Sequence, residues 1–331
     1  MKKSIYALVF GIFILSSSCQ KDIAVVPSKA DDTPTTTSIQ KGKSNTFTAL
    51  SYSKQGDCSS GVYVENGMLV FTDANHFKTT LECLEQQVED HNQAFENQYG
   101  YLSDDDISNI LESTNFNEFQ PLVDFESTLV DYKSLRNKVE GLVAKWLNKP
   151  DLDMNTYPRN VPVIGQGMRT LVNESYQVKV GNDILDFSTN NGGNNASLTA
   201  SNSCGIAGFS GSERPFDNNN KKLVANSGLL PSLLGSIVDG EVYIYRKKTN
   251  GGWNRFSTKI QSQVVGTLRN FNCNFDHNFS KFDDVNNRSH VNPRYRAWFR
   301  PLLSANDNDL LLQVDLSKYS IYHSMHPNIW Y

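Results

Sequence analysis

The chain has 331 residues, with 31 Lys or Arg against 35 Asp or Glu and a formal net charge of −4. That length suits one large domain or two ordinary ones. The lack of a basic excess excludes nucleic acid as a partner.

The N-terminus opens on Met1-Lys2-Lys3, followed by eleven mostly apolar residues from Ile5 to Leu15. Such a run is too short for a spanning helix, which needs about 20 residues. It reads as a secretory signal, to be set apart from the fold. An A-x-A-like site is missing; the run ends Leu15-Ser16-Ser17-Ser18-Cys19 instead. This resembles a bacterial lipoprotein signal: an apolar residue, small residues, then the cysteine that becomes the lipidated first residue. The resemblance implies a diacylglycerol thioether and an acylated amine on Cys19. Each buried CH₂ contributes about 0.8 kcal/mol, so several acyl chains hold a soluble domain on a membrane. Gln20-Lys21-Asp22 is similar to part of the lysine-plus-acid tag of surface lipoproteins of Bacteroidota, with Ile23 where a second acid is usual.

Residues 19–48 are rich in Thr, Ser, Lys and Asp without a hydrophobic period. They are expected to be a lipidated, disordered tether. "GVYVENGMLVF" (61–71) predicts a hairpin turning at Asn66-Gly67. Phe77, Leu81, Leu84, Val88, His91 and Phe95 then mark one face of a long helix ending at Gly100. His91 in that stripe reads as a partly buried helix residue. Ser103 and Asp106 form a capping-box-like start for a second helix. Asp104, Asp105 and Asp106 are consecutive, so they do not converge as calcium ligands do. A third helix is expected from about Phe125 to Leu147, with Phe125, Leu129, Tyr132, Val139, Val143 and Trp146 on its buried side.

Past residue 156 the period changes from 3.6 to 2. "SYQVKVGNDILDF" predicts two strands around Gly181-Asn182. "GEVYIYRKKTNGGWNRFSTKI" predicts a hairpin turning at Asn250-Gly251-Gly252. "DLLLQVDL" and "YSIYH" read as closing strands, and "STNNGGNNAS" (188–197) as a loop. The charge changes too: residues 73–155 hold 17 acidic and 6 basic side chains, a net −11, whereas 156–331 hold 13 and 18, a net +5. The expected fold is α+β, an acidic N-terminal helical part followed by an antiparallel β-rich part, with electrostatic complementarity between them. The units are 1–18, 19–48, 49–155 and 156–331.

"NFNCNFDHNF" (270–279) alternates strictly, with Asn270, Asn272, Asn274, Asp276 and Asn278 on one side of a strand. A ladder of amides could hydrogen-bond sugar hydroxyls, so these five residues are candidate ligand-binding positions. Aromatics crowd the C-terminal part: Tyr295, Trp298, Phe299, Tyr319, Tyr322, Trp330 and Tyr331. Trp330 and Tyr331 join the ligand-binding candidates as a stacking platform. Cys58, Cys83, Cys204 and Cys273 can pair in three ways or stay free. Catalytic signatures are lacking. Cys204 before Gly205 has histidines downstream but none of the flanks of a cysteine peptidase, and "GFSGS" (208–212) is not the G-x-S-x-G elbow. His323 and His326 lack further zinc ligands. No metal and no cofactor is expected.

The anchor, the tether, "VENGMLVF" before an amphipathic helix and "LVNESYQVKVGNDILDF" together resemble uncharacterised lipoproteins of Bacteroidota. In those a hairpin follows the helical part. Leu171, Asn173, Val178, Val180, Gly181 and Ile184 match its pattern, while Leu185 replaces the usual aromatic. The resemblance covers residues 1–25 and 60–190 and implies no activity. The sequence favours a lipid-anchored, non-enzymatic protein of the outer membrane. It would face the cell surface rather than the periplasm and bind a glycan or an envelope protein. The alternative is an extracytoplasmic hydrolase, a glycosidase or peptidase. On intact cells, external protease is expected to digest the wild type, and Cys19→Ala to leave the membrane fraction. Retention of the variant in membranes would refute the anchor.

Overall fold

The computed structural model describes residues 57–150, 164–187, 206–207, 209–232, 235–249, 251–269, 274–298, 310–326 and 329–330. Cys19, the tether, the 188–197 segment, Cys204, Cys273, Asn270, Asn272, Phe299 and Tyr331 lie outside them. Of Trp330 only the backbone is described. The architecture is α+β, and its described parts stack in three layers. One is helical with a small sheet, and the other two are β-sheets packed as a sandwich.

The first layer starts with the expected hairpin, β1 (Tyr63–Glu65) and β2 (Met68–Phe71). Asn66 and Gly67 both take positive φ, 51° and 74°, which suits the right-handed twist of a two-residue hairpin. Asp73 caps α1 (Ala74–Tyr99) by accepting from the His76 N–H at 2.8 Å. Phe77, Leu81, Leu84 and Phe95 are buried, as their spacing requires. A disulfide joins Cys58 to Cys83 of α1, with 5.8 Å between the Cα atoms. Ser103 starts α2 (Asp104–Thr114): its Oγ accepts from Asp106 N–H at 3.2 Å and donates to the Asp106 carboxylate at 2.6 Å.

The third helix departs from expectation. It is broken into α3 (Gln120–Ser127) and α4 (Leu135–Leu147). Asp131 takes φ +61°, Val130 is 80% exposed, and Ser134 caps α4 through Asn137 N–H at 3.0 Å. Glu126 pins the break by accepting from Ser134 Oγ at 2.5 Å and Arg136 Nε at 2.9 Å. The helical spacing still marked the buried side correctly, because Phe125, Val139, Val143 and Trp146 are all buried.

After α5 (Gln166–Leu171), β3 (Gln177–Val180) and β4 (Asp183–Asp186) form the second expected hairpin. β3 pairs parallel to β2, so strands from either side of residue 155 share one sheet. Asn173 sets this junction. Its amide donates to Gly67 O at 3.1 Å, and its oxygen accepts from the N–H groups of Ser175 and Gln177.

Further along are β5 (Ile206–Ala207), β6 (Phe209–Phe216), β7 (Lys221–Ser232), β8 (Gly235–Lys247) and β9 (Trp253–Arg255). β10 (Thr258–Arg269), β11 (Phe275–Arg288), β12 (His290–Val291) and β13 (Arg294–Trp298) follow. β14 (Leu310–Leu316), β15 (Ile321–Met325) and β16 (Ile329–Trp330) complete the chain. The central sheet runs β6-β7-β8, and β13, β12 and β9 pair in turn along the rest of β8. The outer sheet is β11-β10-β14-β15. Between them pack Leu223, Ala225, Val242, Ile244, Ile260, Leu312 and Val314, with Leu229, Val238, Val264, Leu268 and Leu310 continuing the core.

The central sheet is covered on both faces, so β8 is buried along most of its length. Its second face meets the helices through charge as well as apolar packing. Arg169 of α5 makes a bidentate pair with Glu241 of β8 at 3.0 and 2.8 Å, both side chains nearly fully buried. Glu85 of α1 takes Arg296 at 2.9 and 2.7 Å and Arg294 at 2.6 Å. Burial would raise the Glu85 carboxyl, but the two guanidiniums outweigh it and hold its pKa below the ordinary value. Asp239 accepts from Gly165 N–H at 3.0 Å and Asn292 Nδ2 at 3.1 Å. Toward the edge of this seam lie Arg255–Glu140, Arg288–Glu89, Arg246–Glu112 and Lys318–Asp104. Glu85, Glu89, Glu112 and Glu140 of the acidic helical part thus meet cations of the β part, whereas Arg169–Glu241 lies wholly after residue 155 and runs the other way, cation on the helix and carboxylate on the strand.

His290 sits in the seam between Phe119 and Tyr243, with ring centroids at 5.2 and 4.5 Å. Its Nε2 is buried with no hydrogen-bond partner. Burial, then Arg255, Arg169, Arg294 and Arg288, push its pKa well below the ordinary histidine value.

Removing one partner of a buried pair leaves an uncompensated charge. Arg169→Ala is therefore expected to cost about 3–5 kcal/mol in urea unfolding. Arg169→Met combined with Glu241→Leu is expected to cost far less, because an apolar pair of similar volume replaces the ions. Equal losses in the single and double variants would show that the pair is not a coupled unit. His290 generates a pH dependence. The native state keeps it neutral while the unfolded chain protonates it below about pH 6.5. Wild-type stability should fall as pH drops from about 6.5, and His290→Gln should fall less over the same range. Parallel curves would show that His290 is protonated in the folded state.

Candidate functional site: the outer sheet face

The outer sheet packs its inward residues on the sandwich core and leaves the alternate set facing away. β10 and β14 show this plainly, with half-buried residues alternating with buried ones along both strands. The register aligns the outward residues into rows. One row is Phe282, Gln263, Gln313 and Ser324; the next is Asp284, Gln261, Asp315 and Tyr322. Beyond lie Ser280, Val265 and Leu311, then Asn278 beside Thr267.

Two aromatic rings stand on this surface, Phe282 at 54% and Tyr322 at 53% exposure. They occupy the two outermost strands, three spacings apart. At about 4.8 Å per spacing that is roughly 14 Å, with one row of roughly 6.8 Å between them along the strands. The amides between them are held in place. Gln263 Nε2 donates to Ser280 Oγ at 2.8 Å, Gln261 Nε2 to Asp284 Oδ2 at 3.0 Å, and Gln313 Nε2 to Tyr322 OH at 2.5 Å. Thr267 Oγ1 donates to Asn278 Oδ1 at 2.7 Å, and Lys259 lies 3.3 Å from Asp284. Each glutamine amide uses one N–H this way and keeps its second N–H and its Oε1 atom, and Asp315 adds a carboxylate. Among the described residues no donor engages these oxygens.

The expected amide ladder reaches this face only in part. Asn278 lies on it. The register shifts by one residue between the pairs Leu268–His277 and Arg269–Phe275, a bulge at Asp276 that breaks the strict alternation. Phe275, expected toward the core, is consequently 60% exposed. The bulge also lets neighbouring Asp276 and His277 meet: the carboxylate bonds Nδ1, and Nε2 takes the Tyr295 hydroxyl at 2.7 Å. Tyr295 stacks under Phe279 at 4.7 Å, so this chain ties β11 to β13 across the open side of the sandwich. Asn274 is exposed just before the strand. Of the C-terminal aromatics, Trp298 packs against the helical core, Tyr319 packs near Phe216 and Phe256, and Tyr322 alone among the described ones is exposed. His91 is partly buried as expected, stacked on Phe116 at 4.6 Å, with Nε2 3.0 Å from Asn117 O. Burial lowers its pKa.

Sequence reasoning missed Gln261, Gln263, Phe282, Gln313 and Asp315. The signal was present in "KIQSQVV" and "LLLQVDL", where glutamines alternate with apolar residues. Only the pairing of the two strands shows that they share one surface.

The fold and this surface define a three-layer α+β protein with an open polar and aromatic sheet face. No family model and no curated protein matches the chain. It is similar to the crystal structure of a DUF4848 family protein from Bacteroides thetaiotaomicron, at 14% identity over 80% of this chain and 99% of that one, with a TM-score of 0.19. A likeness at that level leaves fold and function to be judged on the residues of this chain.

Proposed function

We propose that the protein is a lipid-anchored component of the outer membrane, displayed at the cell surface, whose outer sheet face binds a polysaccharide. The observation that carries the reading is the pair of exposed rings, Phe282 and Tyr322, flanking hydrogen-bonded amides on one sheet face. Sugar rings offer apolar C–H faces for stacking and hydroxyls for amide and carboxylate acceptors. A protein partner would call for a more apolar centre than Gln261, Gln263, Gln313 and Asp315 supply. The lipobox ending in Cys19 and the polar residues 20–48 support the placement, since a tether lets the domain reach material outside the membrane.

The test is binding of the full-length chain to a panel of insoluble and soluble polysaccharides. Phe282→Ala and Tyr322→Ala are each expected to weaken binding to any retained glycan roughly tenfold, about 1.4 kcal/mol apiece. Neither should change thermal stability much, because both rings are more than half exposed. Unchanged affinity in the double variant would move the site elsewhere, and failure of every glycan to bind would defeat the reading.

A further inference from the structure

The β15 edge of the same sheet carries a second group of reactive side chains. Ser212 of β6 faces His323 of β15 across the sandwich opening, with 2.6 Å between Oγ and Nε2. The hydroxyl also lies 3.4 Å from Met325 Sδ, a longer and weaker acceptor. Arg214 is two residues along β6 and so projects from the same side as Ser212. Its Nη1 donates to the carbonyl oxygen of Tyr322, crossing to β15 beside the imidazole. Burial, and then the charge of Arg214, lower the His323 pKa, so the imidazole is held neutral, and its Nε2 accepts from Ser212 in the tautomer that carries the proton on Nδ1. Tyr322, one of the two rings on the outer face, precedes His323 and projects to the opposite side of β15, so the strand edge lies between its ring and the imidazole.

A serine hydroxyl on a neutral imidazole with a guanidinium at hand is the arrangement that acyl transfer needs: nucleophile, base and a cation for the oxyanion. Tyr295 with His277 has a similar hydroxyl–imidazole contact, but its ring is packed into the sandwich under Phe279. Ser212 instead lies at an edge with exposed Gly211 and Arg214 as neighbours.

We propose that Ser212 is a nucleophile with His323 as its base, and that this edge hydrolyses O-acyl esters on polysaccharide that passes from the outer face at Tyr322 around the edge of β15. The Ser212 oxygen adds to the acyl carbonyl carbon as its proton passes to His323 Nε2, and the oxyanion develops beside Arg214. Collapse breaks the bond to the sugar oxygen, which leaves with the proton from His323. Water then adds to the acyl-serine, giving a proton to His323. The ester breaks, the carboxylic acid departs, and Ser212 regains its proton. This goes beyond binding, and only the choice of a glycan ester rests on the proposed polysaccharide site.

The experiment is fluorophosphonate labelling of the full-length chain, read by peptide mass spectrometry, with p-nitrophenyl acetate turnover alongside. Neither probe contains sugar, so the outcome is independent of whether a glycan binds. An adduct on Ser212 is expected, absent in Ser212→Ala. His323→Gln keeps a hydrogen-bond partner for Ser212 and should slow both reactions about a hundredfold. The wild-type rate should rise with pH through a step below about 6.5 that the Gln variant lacks, a signature that a structural contact would not give. No adduct, an adduct on another residue, or equal rates in wild type and His323→Gln would each overturn the assignment.

Discussion

Glu241 and Glu85, with the arginines that neutralise them, constrain everything else in this structure. A carboxylate moved from water into a protein interior costs several kcal/mol unless it is paired and hydrogen-bonded. Glu241 lies in the middle of β8, so the strand can be buried only if Arg169 arrives from α5. Glu85 makes the reciprocal demand, since α1 can lie on the sheet only where Arg294 and Arg296 project. Apolar contacts alone would tolerate several placements of the helices. Bidentate pairs tolerate one, because both oxygens and both nitrogens must align. The seam therefore fixes orientation more than it adds stability, and burial still raises the Glu241 pKa despite its partner.

This arrangement makes the central sheet a wall between two environments. On one side are ions, His290 and the helices; on the other, an apolar sandwich core. The outer sheet touches the seam at strand ends, where Arg288 of β11 reaches Glu89 of α1 and where Thr258 of β10 and Lys318, just after β14, reach Asp104 of α2. Its own attachment is the sandwich core, with hydroxyl–imidazole contacts at both open sides: Tyr295–His277 at one and Ser212–His323 at the other. A site on strands held this way is rigid, which favours recognition through fixed ring and amide positions over loop closure.

Much of the local structure was legible in the sequence. Asn66-Gly67, Ser103 with Asp106, and Gly181 each require a particular backbone, and the strands and helices around them form as expected. The charge division at residue 155 agrees with the ion pairs that cross it, Glu85–Arg296, Glu89–Arg288 and Glu140–Arg255. What escaped was whatever depends on tertiary context. The helix break at Asp131 rests on Glu126, Ser134 and Val172, the last of which joins only when α5 docks. The bulge at Asp276 rests on the register between β10 and β11, to which an alternating sequence gives no clue. The strict alternation of "NFNCNFDHNF" consequently misled about Phe275.

The outer face was half visible for the same reason. A strand with glutamine at every second position reads as an ordinary solvated edge, and β10 and β14 are both central in their sheet. Only side-by-side pairing turns Gln261, Gln263 and Gln313 into a surface bounded by rings on the flanking strands. That location has a physical consequence. Residues on this face contribute little to the core and nothing to the ion seam, so their identities are free of the constraints that hold the fold. Substitution there costs little stability, whereas the loss of Glu241's partner would strand a buried charge in β8. A fold whose demanding electrostatics lie on one side of a central sheet, and whose exposed rings lie two layers away, keeps the residues that hold it together apart from those free to vary.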